Sequence, residues 1–124
     1  MTTVRTEKAP QPVGPYSQGI KVGYMVFVSG QVGINPETGK KVEGGIEKET
    51  EQALTNVRAI LEEAGLNLKD VAKVTVYLKD ISDFSRMNQV YSTFFSGHKP
   101  ARACVETGLV KDFLVEIDAI AVKN

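Results

Sequence analysis

Two charged residues, Arg102 and Glu116, stand in segments that are predicted to form β-strands, and both have side chains that could act on a small molecule. Arg102 follows Pro100 and lies between two alanines. A guanidinium in this setting is either exposed to solvent, as most charged side chains are, or held in a pocket where it binds an anion. Glu116 lies in an otherwise apolar segment, so its carboxylate is either paired with another group or functional.

The sequence offers few other groups for catalysis. It contains one histidine, His98, and one cysteine, Cys104. A zinc site typically takes roughly three or four closely spaced ligands, so we predict no metal and no cofactor. His98 would have to serve any Ser-His-Asp or Cys-His system, but its place between Gly97 and Lys99 favours a solvated loop residue. Cys104 shares a strand face with Arg102 and, taken alone, is expected to be a buried structural cysteine.

Tyr16 and Asn88 are ordinary structural residues when each is considered singly. Tyr16 follows Gly14-Pro15 and would anchor a loop. Asn88 interrupts the apolar stripe of a predicted helix and would be a surface or capping residue. The glycines of the chain fit no nucleotide-binding fingerprint, so the sequence indicates no nucleotide cofactor.

The composition limits where this chain acts and what it binds. Its 124 residues are the length of one domain, which we assign to residues 1–124. The 15 basic and 15 acidic residues cancel, which gives no general attraction to nucleic acid or to an anionic membrane. The single cysteine and the polar N-terminus, which lacks an apolar signal core, predict a cytoplasmic protein. No apolar run is long enough to cross a bilayer.

Strands and helices alternate along the chain. Polar and apolar residues that alternate one by one mark strands, and apolar stripes at a spacing of about 3.6 residues mark helices. A turn at Gly23-Tyr24 is predicted to join two strands, and Gly65 and Gly97 are predicted to end the helices. The predicted elements are a short edge strand over 4–9, strands over 19–22 and 25–29, a loop over 35–45, a helix over 46–64, a strand over 74–78, a helix from 82 or 83 to about 96, and strands over 101–106 and 115–122.

The last predicted strand is apolar on both of its faces. Val115 and Ile117 lie on one face, and Ile120 and Val122 lie on the other. Two helices cover only one face of a sheet of this size, so the second face needs a partner. A second copy of the same chain is the simplest candidate for that partner.

Six short motifs follow one another in an order that is more specific than any of them alone. They are Gly14-Pro15-Tyr16-Ser17-Gln18, Ser29-Gly30-Gln31, Asn56-Val57, Asp83-Phe84 with Asn88 and Tyr91, Pro100-Ala101-Arg102 with Cys104, and Glu116-Ile117-Asp118-Ala119-Ile120-Ala121. Together they resemble the reactive intermediate deaminase family (Rid, formerly YjgF), over residues 6–123. One departure is the stretch 97–99, which is shorter than in many members of the family.

The resemblance implies an α/β (α+β) fold like that of chorismate mutase, with a mixed sheet of about six strands and two helices on one face. It also implies a homotrimer whose sheets face inward and whose active sites lie in the clefts between subunits. Within such a site, Arg102 would bind the substrate carboxylate, and Glu116 and Tyr16 would act with it in catalysis. The remaining residues that would bind substrate are Cys104, Asn88, Ser29, Gly30 and Gln31.

The activity implied by the resemblance is hydrolytic deamination of reactive enamines and imines, without metal or cofactor. The substrates would be 2-aminoacrylate, 2-iminopropanoate and 2-iminobutanoate, and the products 2-keto acids and ammonia. Relatives have also been described as endoribonucleases (L-PSP) and translation inhibitors, but zero net charge and a single histidine argue against a nucleic-acid substrate here. A trimer that binds ligands without turnover is the third alternative.

Overall fold

The alternating segments of the sequence form the strands of a mixed sheet, and the two apolar stripes form helices. The computed structural model describes all of residues 1–124. Two short 3-10 helices span Leu68–Asp70 and Ile81–Asp83. The strands and helices are, in chain order, β1 Thr2–Val4, β2 Gly19–Val22, β3 Met25–Val32, β4 Ile34–Asn35, β5 Lys40–Lys41, α1 Gly45–Glu63, β6 Val71–Leu78, α2 Phe84–Phe94, β7 Ala101–Glu106 and β8 Val115–Val122.

Most predicted elements are confirmed, but several boundaries are wrong. Strand β3 runs to Val32, beyond the predicted end at 29, and β6 begins at Val71, before the predicted start at 74. The predicted edge strand lies earlier, at β1, because the backbone beyond it bonds to the Gln18 side chain at Thr6 instead of to a strand. The predicted loop over 35–45 contains the small β4–β5 hairpin. Helix α2 ends at Phe94, before Gly97, because Phe95 leaves helical geometry with φ −114° and ψ 44°.

Six of the strands form one sheet in the order β1-β2-β3-β8-β6-β7, and β4 and β5 form a separate hairpin. All neighbouring pairs are antiparallel except β6 and β7, which are parallel and are connected through α2. Strand β8, the last in sequence, therefore lies in the middle of the sheet between β3 and β6. Strand β7, which carries Arg102, forms one edge.

The two faces of the sheet have different surroundings. Both helices pack on one face, where Val26, Val76 and Ile117 belong to a single apolar core. The opposite face, which we call the open face, carries no helix. Its apolar residues are Ile20, Val22, Met25, Phe27, Val105, Ile120 and Val122. Phe27 is 40% exposed and Val105 is 43% exposed. The structure thus has the uncovered apolar face that the sequence predicts. Neither helix is long and apolar enough to span a bilayer.

One fully buried amide connects helix α1 to the end of β3 and to β4. The Asn56 side chain is 0% exposed, and its Nδ2 donates to the backbone oxygens of Val32 at 3.2 Å and Ile34 at 3.0 Å. Its Oδ1 accepts a hydrogen bond from Gln52 at 2.8 Å. Val32 ends β3 and Ile34 begins β4, so the asparagine adds hydrogen bonds to the carbonyl groups at this junction.

We expect Asn56→Leu to lower the free energy of unfolding by about 2–3 kcal/mol, because it removes the two hydrogen bonds that the amide donates to the Val32 and Ile34 carbonyl oxygens. Thr50→Val is the matched control on the same helix. Thr50 is 0% exposed and its Oγ1 has no hydrogen-bond partner, so this change should be neutral or stabilising by about 1 kcal/mol. Urea unfolding at equal protein concentration measures both. Equal losses in the two variants would show that volume, and not hydrogen bonding, decides stability there.

Candidate functional site

Arg102 is held by one face of helix α2. The residues Phe84, Asn88 and Tyr91 are spaced so that all three lie on the same side of that helix. The Arg102 Nη1 donates to Asn88 Oδ1 at 2.7 Å. Its Cζ lies 4.7 Å from the centre of the Tyr91 ring and 5.5 Å from that of Phe84. The guanidinium is therefore fixed by an amide and two aromatic rings, a geometry that suits its flat, delocalised cation.

The guanidinium of Arg102 keeps donors free for a ligand. It makes no salt bridge with any carboxylate of the chain, whose ion pairs all lie elsewhere. Arginine carries five N–H donors, and the bond to Asn88 uses one of them. A fixed, unneutralised guanidinium with donors to spare is a binding group for a carboxylate, which it can hold through two parallel hydrogen bonds.

Cys104 lies on the same face of β7 as Arg102, as its sequence position predicts. The two residues pair with Val76 and Val74 of β6, which share the helix-covered face. Burial raises the pKa of the Cys104 thiol, and the nearby Arg102 lowers it by a smaller amount. The thiol is half-buried and stays protonated at neutral pH, so its environment does not activate it as a nucleophile. We name Phe84, Asn88, Tyr91, Arg102 and Cys104 the Arg102 cluster.

Glu116 lies over a bulge in β3. Val28 pairs with Ala119 and Gln31 pairs with Ile117, so Ser29 and Gly30 together oppose a single residue of β8. A Cβ added at Gly30 would overlap the Glu116 carboxylate. The absence of a side chain at Gly30 therefore makes room for Glu116, and the bulge bends β3 beneath it, as bulges beside active sites often do.

The surroundings of Glu116 disfavour its charged form. Burial raises its pKa, and the like charge of Asp118, two residues along the same face, raises it further. Asp118 accepts a hydrogen bond from the Tyr77 hydroxyl at 2.9 Å, and Tyr77 is the cross-strand partner of Glu116. That bond raises the pKa of Tyr77, so the phenol remains a donor at neutral pH. A carboxylate with a raised pKa is a better proton acceptor than an ordinary exposed one.

A cavity of about 160 Å³ opens beside the Glu116 carboxylate. Apolar residues form much of its wall and Tyr16 stands at its edge, 49% exposed. We call it the Glu116 pocket. Besides Glu116 and Tyr16, its lining includes Gly30, Gln31, Val32, Val110 and Phe113.

The loop that carries Tyr16 is fixed by the side chains of Gln18, which is next to it in sequence, and of Ser29 in β3. Gln18 is 2% exposed, and its amide accepts from Thr6 N at 2.7 Å and donates to Pro10 O at 2.9 Å. The Ser29 hydroxyl donates to the backbone oxygen of Ser17 at 2.6 Å. Ser29 therefore supports the pocket through the loop that it holds. The side chain of Gln31, which is buried, donates to the backbone oxygen of Ser29 at 3.3 Å.

The predicted site residues form two separate groups within one protomer. Arg102 pairs with Val74, which in turn pairs with Ala119 on the helix-covered face. Glu116 is three positions from Ala119 along β8, so its side chain lies on the open face. Strand β6 also separates the two residues within the sheet. The Arg102 cluster and the Glu116 pocket thus lie on opposite sides of the same sheet.

Two outcomes differ from the sequence predictions. His98 is not a solvated loop residue: its Nε2 lies 2.6 Å from the backbone oxygen of Val71, because the loop after α2 packs back on β6. The pocket residues Val110 and Phe113 were not predicted, since a loop without periodicity gives no signal of the cavity it lines. The rings of Phe84 and Tyr91 were detectable from their helical spacing with Asn88. No three His, Cys, Asp or Glu side chains lie together as metal ligands.

Known proteins are similar to this chain in sequence and fold over nearly their whole length. A RutC family protein of Pyrococcus abyssi is 59% identical over 120 residues, covering 96% of this chain and 94% of that protein. The 2-iminobutanoate/2-iminopropanoate deaminase of Escherichia coli is 46% identical and covers 98% of each chain. The structure of E. coli TdcF with bound serine matches with a TM-score of 0.96 at 41% identity, covering 100% of both chains.

The E. coli YjgF gene product gives a TM-score of 0.95 at 44% identity over 100% of this chain and of its own. The family model described as endoribonuclease L-PSP matches residues 6–123. Sequence motifs, fold and relatives thus agree over nearly the whole chain, which belongs to the endoribonuclease L-PSP family, also known as the YjgF or Rid family.

Proposed function

We propose that this protein hydrolyses 2-imino acids and their enamine tautomers, such as 2-aminoacrylate, 2-iminopropanoate and 2-iminobutanoate, to 2-keto acids and ammonia. The observation that carries the proposal is the fixed Arg102 guanidinium, which has free donors and no carboxylate partner in its own chain. Two relatives support it. One is named for this deaminase activity, and the structure of another holds serine, an amino acid with the carboxylate that Arg102 would bind.

We infer further that each site is shared by two copies of the chain. Arg102 and Glu116 lie on opposite faces of the sheet, so one protomer cannot present both to a small substrate. The open face, which carries Glu116, is apolar and uncovered, and burying it against other copies removes exposed Phe27 and Val105 from water. A homotrimer with its sheets facing inward would bring the Arg102 cluster of one copy to the Glu116 pocket of the next.

In this arrangement the substrate carboxylate binds Arg102 through two hydrogen bonds, which also places the adjacent imine carbon. Glu116 accepts a proton from a water molecule as the water oxygen bonds to that carbon and the C=N electron pair moves to nitrogen. With a protonated imine this addition gives a carbinolamine directly. Glu116 then returns the proton it accepted to the amino nitrogen. The C–N bond breaks and releases ammonia as the hydroxyl oxygen forms the C=O bond of the keto acid and loses its proton to solvent. Tyr16, at the edge of the pocket, would hydrogen-bond to the reacting groups.

A protonated imine is already a strong electrophile, so orientation and one proton acceptor are the main contributions that the protein needs to make. The reaction therefore suits the few polar groups of the pocket. Endoribonuclease activity, which the family description also names, finds no comparable support here. The chain has no net positive charge, and its single histidine is engaged with the backbone of Val71.

The direct test uses a pyridoxal-phosphate-dependent serine/threonine dehydratase to generate 2-aminoacrylate or 2-aminocrotonate in solution. Semicarbazide traps part of the imine before it is hydrolysed, and the keto acid that hydrolysis forms is measured. We expect this protein to accelerate keto-acid release and reduce trapping. No acceleration, combined with saturable binding of the keto acid, would overturn the enzymatic function and favour a trimer that binds ligands without turnover.

The shared site predicts that two impaired variants restore activity when they assemble together. Arg102→Ala and Glu116→Gln are each expected to be strongly impaired alone. In trimers formed by co-expression at equal amounts, about a quarter of the sites would combine an intact Arg102 from one copy with an intact Glu116 from its neighbour. Activity near this fraction of the wild-type value supports the shared site. Absence of recovery in mixed trimers confirmed by mass spectrometry would contradict it, as would a monomer in light scattering.

Arg102→Lys should be nearly as damaging as Arg102→Ala. Lysine keeps the charge but not the flat fork of donors, nor the stacking on Tyr91 and Phe84. Loss of a charge-assisted bond costs about 1.5–3 kcal/mol, so kcat/KM should fall roughly ten- to a hundred-fold in both variants. Cys104→Ala is the matched control on the same strand face and should retain activity, since the thiol is protonated. An active lysine variant would show that charge alone suffices.

Glu116→Gln should fold normally and lose most turnover, by roughly a hundred- to ten-thousand-fold in kcat, the range for a missing general base. In the wild-type protein kcat/KM should fall on acidification as Glu116 becomes protonated. Because burial and Asp118 raise the pKa of Glu116, that fall should occur above the ordinary glutamate value of about 4.3.

The neighbouring charge supplies a second measurement. Asp118→Asn removes the like charge, lowers the pKa of Glu116 and should move the acid limb of the pH profile to lower pH. An unmoved acid limb in that variant, or unchanged turnover in Glu116→Gln, would remove Glu116 from the role of base.

A further inference from the structure

One buried carboxylate has no part in the reaction described above. Glu49 lies in the second turn of α1 and is 1% exposed. Burial raises the pKa of its carboxyl group, and the backbone N–H of Leu114 lowers it by a smaller amount. A carboxylic acid group is costly to bury unless it makes a specific hydrogen bond, so its bonding partner indicates what it does.

That partner is the last residue before strand β8. The backbone N–H of Leu114 donates to Glu49 Oε1 at 2.8 Å, a contact that joins residues 65 positions apart. The backbone oxygen of Leu114 accepts from Lys79 N at 3.1 Å. Leu114 is thus fixed on both sides, and Glu116 follows two residues later. The segment 107–114, which Glu49 holds at this end, brings Val110 and Phe113 to the Glu116 pocket.

The segment 107–114 is also attached at its start, where the backbone N–H of Thr107 donates to the Leu78 oxygen at 2.9 Å, and through the Phe113 side chain, which is 5% exposed. Its remaining attachment is on the surface. Asp112 forms an ion pair with Lys41 at 2.9 Å, but its side chain is 75% exposed, and such surface pairs contribute little. Lys111 has a φ of 52° and is the only residue other than glycine with a positive φ, which is a strained backbone conformation. Between its ends the segment is strained and has one weak surface ion pair, so it depends on the attachments at both ends to keep a single conformation. The bond between Glu49 and Leu114 is one of these.

The packing around Glu49 leaves it no contact with bulk water. A Cβ added at Gly33 would lie 2.9 Å from Glu49 Cα and 3.0 Å from its Cγ, so the backbone after β3 lies directly on this side chain. The same backbone stretch continues from Gly30 and Val32, which line the pocket. Glu49 therefore contacts the chain next to two parts of the pocket wall, at Gly33 after β3 and at Leu114 after Phe113.

We propose that Glu49 is a positioning residue of the active site: its carboxylate holds the segment 107–114 and the start of β8, and thereby sets the place of Glu116. This role rests on the proposed function for its effect on catalysis. Glu49 touches no substrate. It acts through Leu114, whose displacement by about 1 Å would move the proton acceptor enough to cost up to roughly a hundred-fold in rate.

The test compares Glu49→Leu, which removes the acceptor, with Glu49→Gln, whose amide oxygen still accepts the Leu114 N–H. Trypsin cleavage between Lys111 and Asp112, followed by mass spectrometry, reports the order of the segment. We expect cleavage to be at least roughly ten-fold faster in the leucine variant, and kcat to fall roughly ten- to a hundred-fold with KM little changed. The glutamine variant should behave like the wild-type protein in both measurements.

Thr50→Val is the matched control, because Thr50 is also buried in α1 but makes no contact with the segment through its hydroxyl. It should leave cleavage and turnover unchanged. Wild-type cleavage and kcat in a folded Glu49→Leu protein would overturn the proposal, and so would a glutamine variant as impaired as the leucine one.

Trypsin cleavage can be measured whether or not the protein turns over its substrate. A wild-type protein without deaminase activity would therefore refute the proposed function, while the bond between Glu49 and Leu114 could still be tested. If Glu49→Leu fails to fold, amide hydrogen exchange of the wild-type protein decides. The Leu114 amide should then exchange more slowly than those of Gly108 to Asp112, and equally fast exchange would overturn the proposal.

Discussion

The two-residue period of a β-strand is the constraint on which the rest of the site depends. Because side chains alternate between faces, Arg102 of β7 and Glu116 of β8 cannot lie on the same side of the sheet in the register that the structure adopts. A shift of one residue would bring them to one face but would expose the core residues of β8 to water. The fold therefore fixes the separation of the two groups as firmly as it fixes its core, and a second copy is the simplest way to unite them.

Polar side chains inside the core hold the irregular segments that carry function. Strands satisfy their own backbone groups, but a bulge, a strand end or a loop leaves donors and acceptors unpaired. Gln18 provides bonds for the N-terminal segment that carries Tyr16, and Asn56 provides them for the end of β3. Glu49 does the same for the segment before β8. Each of these residues lies almost completely out of water, and each is an amide or carboxyl group that reaches backbone atoms at a distance.

The sequence predicts the regular part of this molecule better than the irregular part, for a physical reason. Helix α1 and strands β7 and β8 follow from local periodicity, and the helix end follows from Gly65, which adopts a φ of 84°. The pairing of β8 between β3 and β6 depends on contacts far apart in the chain, which no local pattern encodes. The candidate site residues could be named from their motifs, but the division of Arg102 and Glu116 between two faces required the strand register. His98 was misjudged because its only polar partner, the Val71 carbonyl, is distant in sequence.

In the arrangement proposed for this chain, the site is divided between two copies, so activity depends on assembly. The apolar residues of the open face drive association, and the same association brings a guanidinium to a carboxylate pocket that is otherwise incomplete. Glu116 and Arg102 are kept apart within each protomer, so neither neutralises the other before the substrate binds. A small acid with a carboxylate beside an imine carbon would then bridge them. Its negative end meets the cation of one copy, and its electrophilic carbon meets the proton acceptor of the next. The specificity of such a site comes from the distance between the two charged groups, which the interface sets and which no single chain contains.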